Sequence, residues 1–301
     1  MKVLNEWFIE VEWGKVALIS WGNPRGQPVL FVHGRQDSAA TFLPLLELLS
    51  DDYYYVAFDM PGHGKSDTWP IGIPLSRSIG IFVIDKIIRH LGWTKFIYIG
   101  HSMGAGQGLF YTAIYPGNIT KMILLDTDPA LYYLVRDDFT EFYSVYDDFY
   151  TNYAKYNSDD RVYTKSGVLK AVMRARGMTE EQAEIILSRN LKKIGEDQYK
   201  LLWDRRMKIL APMNYSLDYC YKLISKNCPP ILYIVANQSF ADYHSKEKVI
   251  VGELISKLER SVKNFTILNV EGTHDVHFIH PERISDHVRR FLERDEVKSK
   301  L

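Results

Sequence analysis

A serine lies between two glycines in Gly100-His101-Ser102-Met103-Gly104, directly after the apolar run from Phe96 to Ile99. In this context the spacing predicts a nucleophile elbow, a tight turn from strand to helix that exposes the serine hydroxyl. The glycines remove side chains that would clash inside such a turn. The predicted chemistry is attack by Ser102, with the backbone amide of Met103 as one donor to the oxyanion.

A serine hydroxyl needs a base to take its proton, and the base in such sites is most often a histidine. His274 follows the last apolar strand in the segment Glu271-Gly272-Thr273-His274 and is the predicted general base. His277 and His280 are the nearby alternatives. The three histidines could also suggest a zinc site, but no matching set of acidic or cysteine ligands accompanies them, so no metal is predicted.

The acid that orients the base should lie between the serine and the histidine in the chain. About three residues after the strand Ile231 to Val235, where a carboxylate is expected, the residue is Ser239, and the first acid is Asp242. We predict Asp242 as the acid, delivered by a shifted loop. Asp126 and Asp128, after the preceding strand, are the alternatives, because a triad is defined by geometry and not by chain position.

The second oxyanion donor should come from the loop after the strand Val29 to Val32. There Gly34 allows close approach of the backbone, and the Arg35 amide is the predicted donor. The Arg35 side chain could favour acidic substrates or point outward. No cofactor is predicted: a dinucleotide fingerprint built on the glycines at 104 and 106 would need a third glycine where Leu109 stands.

Short apolar strands alternate with helical stretches along most of the chain, after an opening hairpin near Trp13-Gly14. This order predicts an α/β fold with a mostly parallel, doubly wound sheet. Residues 1–127 and 229–301 would form the core, and residues 128–228 an inserted helical cap or lid, which we call the cap. The cap holds twelve of the twenty tyrosines, which could line an acyl pocket or form the core of the cap.

The 37 basic and 37 acidic residues balance, so the charge disfavours nucleic-acid binding. Two cysteines suggest free thiols rather than a disulfide framework. No signal peptide or membrane span is expected. The terminal Ser299-Lys300-Leu301 has the form of a peroxisomal import address, which predicts binding of the import receptor and a peroxisomal location, and otherwise a cytoplasmic one.

Taken together, these motifs resemble the α/β-hydrolase superfamily, and within it the serine hydrolase-like proteins. The resemblance covers nearly the whole chain and rests on these segments: Trp13-Gly14-Lys15, His33-Gly34 with Asp37, Tyr53 to Ala57, Asp59 to Ser66, the elbow, Leu124 to Thr127, and Val276-His277. It implies a Ser/Asp/His hydrolase, often associated with peroxisomes. Ser239 stands where such proteins usually carry the acid, and Arg35 where a large aromatic residue is common.

Dehalogenases and epoxide hydrolases of this fold carry an aspartate where this chain has Ser102, which leaves acyl transfer to water as the predicted reaction. The expected substrates are small-molecule carboxylic esters or thioesters, with fatty acyl esters or acyl-CoA favoured. Four basic residues could contact CoA phosphates or form a solvated helix face: Lys192, Lys193, Arg205 and Arg206. The alternative function is a small-molecule binding protein or receptor with little or no turnover.

Overall fold

One mixed sheet of eight strands forms the centre of the protein. A computed structural model describes residues 1–135, 139–158, 161–211, 213, 215–239 and 245–294, apart from the side chains of 141 and 245–247. The strands of this sheet are β1 (Val3–Val11), β2 (Gly14–Gly22), β3 (Pro28–Val32), β4 (Tyr54–Phe58), β5 (Phe96–His101), β6 (Ile119–Leu125), β9 (Ile231–Ala236) and β10 (Phe265–Val270). A separate hairpin consists of β7 (Leu191–Gly195) and β8 (Gln198–Leu201).

The order across the main sheet is β1-β2-β4-β3-β5-β6-β9-β10. The hairpin of β1 and β2 is antiparallel, β2 also pairs antiparallel with β4, and the strands from β4 to β10 run parallel. The inner strands are covered on both faces, which explains why they read as continuous apolar runs rather than as alternating patterns. All their carboxyl ends therefore meet at one edge.

Helices cover both faces of this sheet and form most of the cap. They are α1 (Leu43–Leu46), α2 (Gly80–Leu91), α3 (Met103–Ile114), α4 (Asp128–Tyr132), α5 (Phe139–Thr151), α6 (Tyr153–Asn157), α7 (Lys165–Arg176), α8 (Glu180–Asn190), α9 (Leu217–Ser225), α10 (Ser245–Ser261), α11 (Val276–Ile279) and α12 (Glu282–Glu293), with 3-10 helices at Ala39–Phe42 and Arg205–Ile209.

The apolar periodicity of residues 75–90 predicts a helix beginning at Leu75, but helix α2 begins at Gly80. The Leu75 carbonyl accepts a hydrogen bond from the Ala211 amide of the cap at 2.7 Å, and Ser76 forms a β-bridge with Ala211. This contact with a distant part of the chain keeps Leu75 and Ser76 out of the helix, and residues 77–79 form a turn before it begins.

The cap is not purely helical, because it contains the hairpin of β7 and β8. These strands carry charged residues and are exposed or half-buried, so they lack the pattern of buried strands that a sequence-based prediction recognises. At the two ends of the cap, α4 and α9 pack on α3 and α10 of the core. The proposed division of the chain at 127 and 229 stays a prediction.

The cap docks on the core through apolar packing and buried ion pairs. Val168, Val172 and Leu187 pack against Phe278 of α11. Arg189 of α8 donates from Nε and Nη2 to the buried carboxylate of Asp59, at 2.8–3.1 Å. Removing one partner of such a pair leaves an uncompensated buried charge, which typically costs about 3–5 kcal/mol.

Some predictions fall on residues that the structure does not describe. Asp242 lies outside the described residues, as do Ser299, Lys300 and Leu301. Import into peroxisomes therefore stays a prediction from the sequence. Among the helices within the described ranges, none combines the length and apolar character needed to cross a membrane.

The turn into α3 depends on the absence of two side chains. A Cβ on Gly100 would lie 2.6 Å from the Cα atom of Ala105. A Cβ on Gly104 would collide with the Val32 carbonyl oxygen and lie 2.6 Å from that of His33. Helix α3 can therefore begin directly against the end of β3 only with glycine at 104.

We expect Gly104→Ala to lower the free energy of unfolding by about 1–3 kcal/mol or more, because the new methyl group must push the backbone of β3 away. Gly106→Ala is the matched control on the same helix, where a Cβ would meet nothing within 4 Å. Alanine should be neutral there or stabilise by up to about 1 kcal/mol. Urea unfolding of both variants measures the difference, and equal stabilities would contradict this account of the turn.

Candidate active site

Ser102 lies at the junction of β5 and α3 with φ 51° and ψ −117°. Positive φ is uncommon for a residue other than glycine, and such strain is concentrated at functional sites. The Ser102 amide donates to the Leu125 carbonyl of β6 at 3.0 Å, which anchors the turn to the neighbouring strand. The side chain is partly exposed at the carboxyl edge of the sheet.

His274, in the loop after β10, contacts the carboxylate of Asp126, with 2.5 Å between Nδ1 and Oδ2. A carboxylate accepts, so Nδ1 carries the proton and Nε2 is left as the basic nitrogen. No hydrogen bond within the described part of the chain joins the Ser102 hydroxyl to His274. Such contacts are often long in ligand-free structures.

Asp126 follows β6 directly and is held rigidly. It has φ 47°. Its Oδ1 accepts from the Ala236 amide at 2.9 Å, and its Oδ2 accepts from the Ser239 hydroxyl. The side chain is fully buried, so its two oxygens are supplied with donors by β9 and by the histidine loop. These contacts aim the second oxygen at His274.

Among the described residues, the carboxylate at His274 is that of Asp126, one of the two alternatives, while the predicted acid Asp242 lies outside the described residues and stays a prediction. Ser239, at the position where the carboxylate was expected, contributes a hydroxyl to that carboxylate, and its oxygen lies 3.4 Å from Nδ1 of His274. The other alternative, Asp128, instead accepts from the Tyr233 hydroxyl. Burial raises the pKa of Asp128 to about 6, despite that hydrogen bond.

Burial disfavours the charged form of His274, but the hydrogen bond and negative charge of Asp126 outweigh it. The pKa of His274 is therefore raised above its ordinary value. A raised pKa makes the imidazole a better proton acceptor while the serine is attacking.

The loop after β3 brings the second predicted oxyanion donor to the serine. A Cβ on Gly34 would lie only 3.2 Å from the Cβ of Ser102, so this glycine permits the close approach. Neither the Arg35 amide nor the Met103 amide donates to another described residue. Both N–H groups therefore stay the predicted donors to an oxyanion.

Two buried histidines hold this loop in place. His33 accepts from the Met60 amide at Nε2, so its Nδ1 donates to the Gly34 carbonyl at 2.7 Å. His63 accepts at Nε2 from the amide of Gln36, which has φ 56°. Burial lowers the pKa of both rings, that of His63 to about 3, so both stay neutral and can accept.

His277 and His280, the two alternative bases, make contacts elsewhere. The ring of His277 is buried, and its Nε2 lies 2.9 Å from the Thr41 hydroxyl. It packs against His101 with the two rings tilted, and Nε2 of His101 donates to the His274 carbonyl at 3.1 Å. His280 is exposed and lies 3.2 Å from Glu282. His101 and His277 thus support the loop that carries His274.

Arg176, the last residue of α7, extends between the loop after β3 and the loop after β10. Its Nε and Nη2 donate to the Asp275 carboxylate at 2.8 and 2.5 Å, and Nη2 also donates to Asp37 at 2.8 Å. Asp37, His101 and Asp275 bring possible metal-ligand atoms within 4.8 Å of one another. The guanidinium already binds both carboxylates and supplies the positive charge there.

A cavity of about 480 Å³ lies between the cap and the carboxyl edge of the sheet. Its floor includes His101, His274 and Arg35. Its roof is one face of α7, formed by Gly167, Val168, Ala171, Val172 and Ala175, together with Leu201 and Trp203. This volume and this mostly apolar wall suit a small organic ligand.

A smaller cavity of about 140 Å³ adjoins the first and shares Trp203 and Tyr163 with it. Its described lining includes three basic residues, Arg161, Arg205 and Lys208, and no acidic one. Arg206, which like Arg205 is a possible phosphate contact from the sequence, is buried and donates to Asp204 and to backbone carbonyls. Arg206 is therefore part of the cap structure and is not available to a phosphate.

Comparison with known proteins gives the family. The family described as alpha/beta hydrolase fold matches residues 27–239. Serine hydrolase-like protein 2 of Homo sapiens is 28% identical over 303 residues, covering 97% of this chain and 95% of that protein.

Two solved structures show the fold alone. A hypothetical protein of Pseudomonas aeruginosa has a TM-score of 0.78 at 22% identity, covering 96% of this chain and 98% of that one. A thioesterase domain from the curacin biosynthetic pathway has a TM-score of 0.75 at 18% identity, covering 94% of this chain and 98% of that one.

The protein belongs to the α/β hydrolase fold family and, within it, to the serine hydrolase-like proteins.

Proposed function

We propose that this protein is a serine hydrolase that cleaves carboxylic esters or thioesters through an acyl-enzyme on Ser102. The observation that carries the proposal is the buried Asp126 carboxylate bound to Nδ1 of His274, at the sheet edge where the strained Ser102 lies. This arrangement leaves Nε2 of the imidazole unprotonated and oriented by an anion, as a general base requires.

The reaction follows from these atoms. His274 Nε2 takes the proton of Ser102 as Oγ attacks the acyl carbon, and Asp126 stabilises the imidazolium. The amides of Met103 and Arg35 donate to the oxyanion. The imidazolium then protonates the leaving alcohol or thiol, and the ester formed on Ser102 is hydrolysed by a water that His274 activates in the same way.

The two adjoining cavities support a substrate with two different parts. The apolar face of α7 suits an acyl chain, and the basic lining of the smaller cavity suits an anionic leaving group. Arg161 and Lys208 are exposed there, while Arg205 also binds the Lys155 carbonyl. Fatty acyl esters and acyl-CoA are the proposed substrate classes, with acyl-CoA matching both cavities. Uptake into peroxisomes is a further proposal that rests on the sequence alone.

A second candidate is a binding protein that keeps this fold without turnover. One observation favours it: the described residues include no hydrogen bond between Ser102 and His274. In that case the cavity would bind a small molecule, and Ser102 would not react because His274 does not take its proton. The two functions differ in whether Ser102 reacts covalently.

A fluorophosphonate probe should label the native protein and should not label Ser102→Ala. In a panel of short esters, long esters and acyl-CoA, the wild type should hydrolyse at least one class, and the variant should lose about a millionfold in turnover. Rates are measured by product release. Equal hydrolysis by both proteins would overturn the catalytic proposal, and tight ligand binding without labelling would support the binding protein.

Substitution of each candidate carboxylate should identify the one that orients His274. We expect Asp126→Asn to slow hydrolysis about 10⁴-fold, because the amide favours the wrong tautomer of His274. Asp128→Asn removes the carboxylate that binds Tyr233 and should retain most activity, which makes it the matched comparison. Asp242→Asn is measured in parallel, and a large loss there with full activity in Asp126→Asn would return the assignment to Asp242.

The pH dependence of labelling follows from the raised pKa of His274. The base acts only when neutral, so the rate should fall as the pH drops through a midpoint above about 6.5, the ordinary value for histidine. Asp126→Asn removes the group that raises this pKa, and the residual rate should have a lower midpoint. Labelling rates between pH 5 and pH 9 measure both, and a midpoint unaffected by the substitution would contradict the assigned contact.

A further inference from the structure

The loop with the Arg35 amide and the loop with His274 come from distant parts of the chain, and no hydrogen bond among the described residues joins Asp37 of the first to Asp275 of the second. Both carboxylates are buried and face the same guanidinium, that of Arg176. Asp37 lies two residues after Arg35, and Asp275 directly follows His274. Arg176 is itself largely buried, with 17% of its side chain exposed.

We propose that Arg176 of the cap is a positioning residue that holds the oxyanion loop and the His274 loop in register through Asp37 and Asp275. The proposal rests on the function proposed above. Two buried carboxylates this close repel each other unless a cation lies between them. The planar guanidinium meets that need because it offers several donors in a fixed geometry. The loops therefore take their joint arrangement only when α7 of the cap is in place.

The position of Arg176 gives the cap a part in the chemistry as well as in substrate binding. The same helix forms the roof of the main cavity, so any displacement of α7 by a ligand also moves the guanidinium. When α7 packs over a fitting substrate, Arg176 would therefore also hold the Arg35 amide and His274 at the distance that the reaction needs. Induced closure of this kind assembles a site only around a fitting substrate.

The charge of Arg176 also acts on His274 through space. The charged or titratable groups around that ring are Asp126 after β6, His101 of β5, Asp275 of its own loop, His277 of α11, Asp128 of α4 and Arg176 of α7. Loss of the Arg176 cation leaves Asp275 uncompensated beside the imidazole. The imidazolium is then favoured, and the pKa of His274 rises.

The test compares Arg176→Gln with Arg176→Lys, and with Arg189→Lys as the matched control. Arg189 is also a buried arginine that joins the cap to the core, but it binds Asp59 and Glu6 and neither Asp37 nor Asp275. Thermal unfolding first establishes that each variant is folded at the assay temperature. Fluorophosphonate labelling rates of Ser102 are then measured between pH 5 and pH 9.

For Arg176→Gln we expect labelling about tenfold slower or more at neutral pH. Its pH midpoint should lie higher by about half a unit or more. Arg176→Lys keeps the cation and should keep the wild-type midpoint, and Arg189→Lys should keep both the rate and the midpoint. The proposal is overturned if Arg176→Gln labels with the wild-type rate and midpoint, or if Arg189→Lys produces the same changes.

A second measurement separates this proposal from the proposed function. If the wild-type protein is not labelled, the hydrolase function fails, but NMR titration of the His274 imidazole, assigned with His274→Ala, still tests Arg176. A higher pKa of His274 in Arg176→Gln than in wild type supports the positioning role. An unchanged value overturns it.

Discussion

The contact between Gly104 and the carbonyl oxygens of Val32 and His33 is the constraint on which the site depends. Because α3 begins directly against the end of β3, the loop after β3 has to pass beside Ser102. Gly34 of that loop consequently approaches the Cβ of Ser102 closely. The backbone accepts positive φ at Ser102 and Asp126, directly after β5 and β6, and at Gln36 in the loop after β3. Strain of this kind persists only where the surrounding contacts determine it completely.

Much of the core could be predicted because its strands are buried on both faces and its helices have clear periodicity. The elbow, the histidine after β10 and the loop after β3 each follow a strand, so their meeting at one sheet edge follows from parallel topology. The helical prediction for the cap missed the hairpin of β7 and β8, since exposed strands leave little pattern. Arg176 could not be selected from sequence, because its partners are 99 and 139 residues away.

The choice of acid shows the limit most clearly. A carboxylate after β6 and one after β9 have similar claims when only chain position is known. The pairing of Leu125 with Ile234, and the hydrogen bond from the Asp126 amide to the Ile234 carbonyl, place Asp126 beside the end of β9. From there its side chain reaches the histidine loop. The register between two strands, which no local pattern encodes, thus brings Asp126 to His274.

The position of the Asp126 carboxylate, directly after β6, also changes which segments of the chain can vary in sequence. Where the acid follows β9, the loop there has to keep its length and its aspartate. Here Ser239 contributes one hydroxyl from the start of that loop, and the residues after it carry no member of the proposed triad. Insertions and substitutions beyond Ser239 would then leave the contact between Asp126 and His274 in place, which makes that loop a place where new specificities can arise.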